Sequence, residues 1–133
     1  MGRRSGGTVR PTIEPMDLGH EPPTVVPAIV SVESDGPGRL VGFEEAVQLA
    51  ERAMSRPGQE AMLVVSAERL DLGWAFWLQG ERYIRTRAFS DQLVGHGITI
   101  VEERTGAVFG SGSGAGAWAA IAAVRARIKD RKQ

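Results

Sequence analysis

Cysteine is absent from the 133-residue chain, which excludes disulfide bonds and thiolate metal sites and leaves the core alone to hold the fold. Histidine is nearly absent as well. Only His20 and His96 occur, and neither stands in an HxxxH or ExxH spacing, so neither a metal site nor a cofactor is expected. Charge of one sign is lacking: sixteen basic and sixteen acidic side chains cancel. No overall field then draws the chain toward nucleic acid or an anionic membrane. No apolar run nears the roughly 20 residues that cross a bilayer. Arg3-Arg4 near the start has no apolar stretch behind it, as an export signal would need. The expectation is a cytoplasmic protein that binds neither nucleic acid nor membrane.

What is present is unevenly distributed. Five of the seven prolines (Pro11, Pro15, Pro22, Pro23 and Pro27) precede Ala28. Each fixes φ and removes a backbone donor, so residues 1–40 read as a Pro/Gly-rich, largely disordered N-terminal extension. Within it, Ala28-Ile29-Val30-Ser31-Val32 is β-prone enough to add an edge strand, and Asp35-Gly36-Pro37-Gly38 reads as a turn. Residues 41–133 form a single expected domain.

Apolar residues at 43, 46, 47, 50, 53 and 54 paint one face of a helix over Phe43–Met54, with Glu44 and Glu45 suiting its N-terminal dipole. Strands follow at Ala61–Ala67 and Gly73–Gln79, the second alternating Trp74, Phe76 and Leu78 against Ala75 and Trp77. Arg82–Thr86, after Gln79-Gly80-Glu81, reads as the return strand of a hairpin. Ile98–Glu102 and Ala107–Phe109 supply further strands around a turn at Glu103–Gly106. Ala117–Lys129 is rich in alanine, the strongest helix former. The expected class is α+β: an N-terminal helix, a four- to five-stranded antiparallel meander, and a C-terminal helix on the same face of the sheet. Phe43, Val47, Val64, Trp74, Phe76, Ile100, Trp118 and Ile121 are the expected core.

Catalytic patterns are not found. Ser111–Gly116 is glycine-rich but lacks the Lys-Ser/Thr close of a phosphate loop, and no serine sits in a GxSxG elbow. The carboxylate pairs Glu44/Glu45, Glu68/Asp71 and Glu102/Glu103 fall at solvated positions. The cluster Arg125, Arg127, Lys129, Arg131 and Lys132 reads as a frayed, solvated helix end. No catalytic residue is assigned, and an enzyme is not expected.

The order Gly73-Trp74-Ala75-Phe76-Trp77-Leu78-Gln79, a segment around Tyr83, Gly95-His96-Gly97, Ile98-Thr99-Ile100-Val101 and Thr105-Gly106 resembles the bacterial immunity protein 35 family, also described as YrhB-like domains. The resemblance covers roughly Val41 to Lys129, with Ile98-Thr99 standing where the family has a Pro-apolar step. It implies a non-enzymatic immunity protein that binds and neutralises a cognate bacterial toxin, as a monomer or weak dimer. A small chaperone-like protein that binds unfolded clients is the alternative. Candidate partner-binding residues are Asp71, Trp77, Tyr83, Arg85, His96 and Glu102. They lie on the Glu68–Leu72 connection, on the sheet face around Trp77 and Arg85, and on the Arg87–Gly97 loop, with Glu102 and Glu103 as an acidic patch for a basic surface. Trp77 either packs into the core beneath that loop, the preferred reading, or lies on an open face.

Overall fold

The computed structural model describes residues 10–87, 96–112 and 116–131. Among these, the chain runs β1 (Glu14–Pro15), β2 (Val30–Ser34), α1 (Phe43–Met54), β3 (Met62–Arg69), β4 (Gly73–Gly80), α2 (Glu81–Thr86), β5 (His96–Glu102), β6 (Val108–Gly112) and α3 (Ala117–Arg131). The six strands form one sheet in the order β1-β3-β4-β5-β6-β2. Strands β3 to β6 make an antiparallel meander. β2 adds to its β6 edge antiparallel, and β1 runs parallel to β3. The class is α+β with a mixed sheet.

Alternation along β4 and β5 sorts the core into two layers. Trp74, Phe76 and Leu78 of β4, with Val101 of β5, bury against Ala46, Val47 and Ala50 of α1. Ala75 of β4, with Ile98 and Ile100 of β5, buries against Ala120, Ile121, Ala123 and Val124 of α3. The two helices therefore cover opposite faces, which corrects the expectation that they share one. The physical reason lies in the central strands, whose two sides are both apolar and must both be removed from water. Of the expected core, Val47, Val64, Trp74, Phe76, Ile100 and Ile121 are buried. Trp118 is half-buried. Phe43 is 40% exposed, its ring edge-on to Trp74 and Phe76 at the rim of the α1 layer.

Two local expectations also change. Arg82–Thr86 is part of a helix, not a strand. Its N-terminus is capped from outside, the Glu60 carboxylate accepting the Arg82 N–H at 2.7 Å, while Arg87 closes it in a left-handed conformation. His96 and Gly97, expected at the end of the Arg87–Gly97 loop, lie within β5. Gly97 is there because the chain passes so close to β6 that a Cβ would stand 2.3 Å from Ser111 Oγ. The rest of the Arg87–Gly97 loop (88–95), residues 113–115 and Lys132 lie outside the described residues.

The segment before Val41 supplies both edges of the sheet. Because β1 and β2 sit at opposite ends, residues 16–29 must cross the whole sheet, and they do so over α3. Trp118 Nε1 donates to the Leu18 carbonyl at 2.9 Å, and the Ala28 N–H donates to Ala119 at 3.2 Å. Each edge is then protected. The β3 edge beyond β1 is closed by α1, where Glu51 accepts from the Val64 N–H and Ser55 Oγ from the Met62 N–H. Arg10 holds Glu51 in place through both guanidinium nitrogens. The β2 edge carries an irregularity between Val32 and Ser34, and Glu33 there pairs with Arg56.

Candidate functional site

Two hairpin turns meet at one end of the sheet. The β3–β4 turn is closed by Leu70 and Gly73, which exchange main-chain hydrogen bonds. Gly73 is required there: its φ is +158°, and a Cβ would stand 2.0 Å from the Val101 carbonyl oxygen. The β5–β6 turn is closed by Gly106 donating to Glu102, and Thr105 Oγ1 donates to the Glu102 carboxylate at 2.8 Å. The Glu103 N–H donates to the Leu72 carbonyl at 2.8 Å, which locks the two turns side by side. The C-terminal half of α3 lies along them. Between helix and turns is a cavity of about 380 Å³, with Leu72 and Ile128 as its apolar wall and charged groups around the rest.

The charges are organised as ion pairs. Glu102 is 2% exposed, and Arg131 binds both of its oxygens, at 2.6 and 2.7 Å. A carboxylate taken this far out of water survives only with such compensation. Glu103 pairs with Arg69 at 2.8 Å, and the Arg69 guanidinium lies 4.7 Å from the centre of the Trp74 ring. Arg125 bridges two acids, Asp71 at 2.9 Å and Glu21 of the crossing segment at 3.1 Å. The hydrogen bond from Arg125 holds the Asp71 carboxyl below the usual aspartate range, against the opposing effect of burial. Arg125 spends both terminal nitrogens this way, and its buried Nε–H has no acceptor among the described residues. Arg104 and Lys129 also line the cavity, both exposed and without a carboxylate partner among the described residues.

Of the six candidate partner-binding residues, the structure brings Asp71 and Glu102 together at this cleft. It does not gather the others there. Trp77 packs half-buried against the α3 layer, so the sheet is not open at that point. Tyr83 is half-buried on α2 beneath Arg87, whose guanidinium lies 5.7 Å from the ring centre, and Arg85 is exposed on the same helix. His96 pairs with Gly112 at the start of β5. Glu102 is no solvated patch residue, because its charge is internal and already neutralised by Arg131. The reading of a frayed basic helix end is corrected for three of its five residues: Arg125 and Arg131 make the ion pairs above, and Arg127 donates to the Val30 carbonyl at 3.1 Å. Arg104 and Glu21 are not legible in the sequence, because nothing local links a turn arginine or an arm glutamate to a helix far along the chain. Arg69 falls within the Glu68–Leu72 connection, but its pairing with Glu103 does not show there.

A larger cavity of about 500 Å³ lies on the β2 side of α3, between Val32, Phe109 and Arg127, but it holds none of the six candidates. Among the described residues, no cluster of three or more His, Asp or Glu is placed to hold a metal ion, and no helix is long and apolar enough to cross a membrane. In comparison with known proteins, no family model, curated protein or solved structure matches this chain.

Proposed function

We propose that the protein acts by binding another protein, as an immunity-type inhibitor of a bacterial toxin. The observation that carries this reading is the cleft at the sheet end. Its carboxylates and Arg125 are held by ion pairs and its two tight turns by main-chain bonds, yet the Asp71 side chain at its rim is 69% exposed. A surface ordered before the partner arrives loses little conformational freedom on association, which favours a specific folded partner. Parts of three segments that carry the resemblance to the immunity family lie at or beside this place, while Gln79 and His96 lie at the far ends of their strands and Tyr83 on α2. Gly73 opens β4, Val101 and Glu102 end β5, and Thr105-Gly106 make the adjoining turn. Inhibition follows from occlusion of the toxin, with the protein working in the cytoplasm as a monomer or weak dimer.

Affinity purification of the tagged chain from its native host, read by mass spectrometry, tests the proposal. One stoichiometric partner whose activity falls when this protein is added is the expected result. A broad spread of unrelated clients would instead favour the chaperone-like alternative. That second reading draws on Val26 and Ile29, which are 81% and 92% exposed on the crossing segment and give it apolar surface to offer.

A further inference from the structure

We infer that the cleft receives an acidic segment of the partner, with a carboxylate drawn to Arg104 and Lys129 and an aliphatic flank laid on Leu72 and Ile128. The inference rests on the binding reading above and gives its contact a chemistry. The charges decide the sign. Counting the cavity residues with their ion-pair partners, four carboxylates (Glu21, Asp71, Glu102 and Glu103) meet five cations (Arg69, Arg104, Arg125, Lys129 and Arg131). Every one of these carboxylates already has an arginine. The cations left without a carboxylate among the described residues are Arg104 on the β5–β6 turn and Lys129 on α3. The charge the cleft can offer is therefore positive, the reverse of what Glu102-Glu103 implies when read along the chain.

The wall selects among anions. Leu72 and Ile128 are half-buried and present apolar surface beside the two cations, which suits a side chain carrying both methylenes and a carboxylate. A nucleic-acid backbone suits it poorly. Such a backbone needs a run of cations along its phosphates, and among the described residues this cleft offers only two without a carboxylate partner. The volume lies toward the lower end of the roughly 300–1,000 Å³ typical of ligand sites, enough for one or two side chains of a partner segment.

The probe is a short blocked peptide of alternating leucine and glutamate, titrated into the ¹⁵N-labelled full chain and followed by amide NMR. Shifts confined to residues 70–73, 102–106 and 125–131 are expected, weakening as salt is raised. The double variant Arg104→Glu, Lys129→Glu is expected to weaken binding at least about tenfold, or about 1.4 kcal/mol. Both residues are exposed, and Arg104→Gln with Lys129→Gln provides a milder pair should charge reversal disturb folding. Tighter binding of a leucine–lysine peptide would overturn the inference. So would occupation of the same amides by a short single-stranded DNA in preference to the peptide, or unchanged affinity in either double variant. The captured toxin separates the two levels. If wild type and double variant hold it equally, the acidic-segment inference fails and the immunity reading stands. If no stoichiometric partner is found, the immunity reading fails, and the peptide titration still decides the chemistry of the cleft.

Discussion

The two faces of the sheet are closed by different means. Over α1 the closure is dry and close: Ala46 and Ala50 are fully buried and let the helix backbone approach Trp74, Phe76 and Leu78. Over α3 the alanines do the same work near the helix start, but the C-terminal half meets the sheet end through guanidinium–carboxylate pairs, and a crossing segment straps the outside. The α1 side has a cavity of its own, about 370 Å³ beside Phe43, Val47 and Arg10, but it gathers none of the six candidate residues. Ion pairs around a cavity hold the structure while leaving charge and volume available. The α1 layer is closed mainly by apolar burial, whereas the α3 layer ends in a cluster of ion pairs around a cavity.

That contrast can be broken at several points. Phe76→Ala should have the largest effect. Phe76 is fully buried in the α1 layer, and its loss should destabilise the protein by about 3–5 kcal/mol, read as a lowered urea midpoint with unchanged slope. A loss under about 1 kcal/mol would mean that the α1 layer is not the principal core. Arg131→Ala should come next, because it strands the Glu102 carboxylate among buried groups. Arg131 is itself 47% exposed, so a loss of about 2–3 kcal/mol is expected, below the full range for a wholly buried pair. Adding Glu102→Gln should restore part of it. Simple additivity of the two changes would show that the pair does not act as one unit.

The smallest effect concerns acid. Asp71 binds a proton less readily when folded than when unfolded, because Arg125 donates to it. Its contribution is therefore complete above the ordinary aspartate value of about 3.9 and is lost as pH falls through the lower folded-state value. Asp71→Asn should flatten the acid limb of the stability–pH curve slightly without altering stability's pH dependence near neutrality. Part of the slope will remain, because Glu45 is shifted in the same direction by Arg39. An unchanged acid limb in Asp71→Asn would show that solvent screens the Asp71–Arg125 pair completely.

Legibility followed the range of the interactions. The helix over Phe43–Met54 was readable to its ends, since a 3.6-residue period and two first-turn glutamates are local facts. The alternation in Gly73–Gln79 was equally plain, and so was the β-prone run that became β2. Glu81–Thr86 misled because a six-residue helix has too little intrinsic propensity to declare itself. It forms where Glu60 caps it. The cleft was half legible. The sequence points to Asp71 and Glu102 but not to the sign of the available charge, because their arginines come from distant parts of the chain.

The sequence alone determined the α+β class, the places of the long elements and the absence of disulfides. Composition and periodicity are properties of neighbouring residues, and the chain carries them whatever its fold. The tertiary structure decided which face each helix covers, that the proline-rich segment crosses α3 from edge to edge, and that Glu102 is an internal charge. Those outcomes depend on contacts such as Glu102 with Arg131, 29 residues apart, and Leu18 with Trp118, 100 apart. Such contacts exist only once the sheet has brought the ends of the chain together.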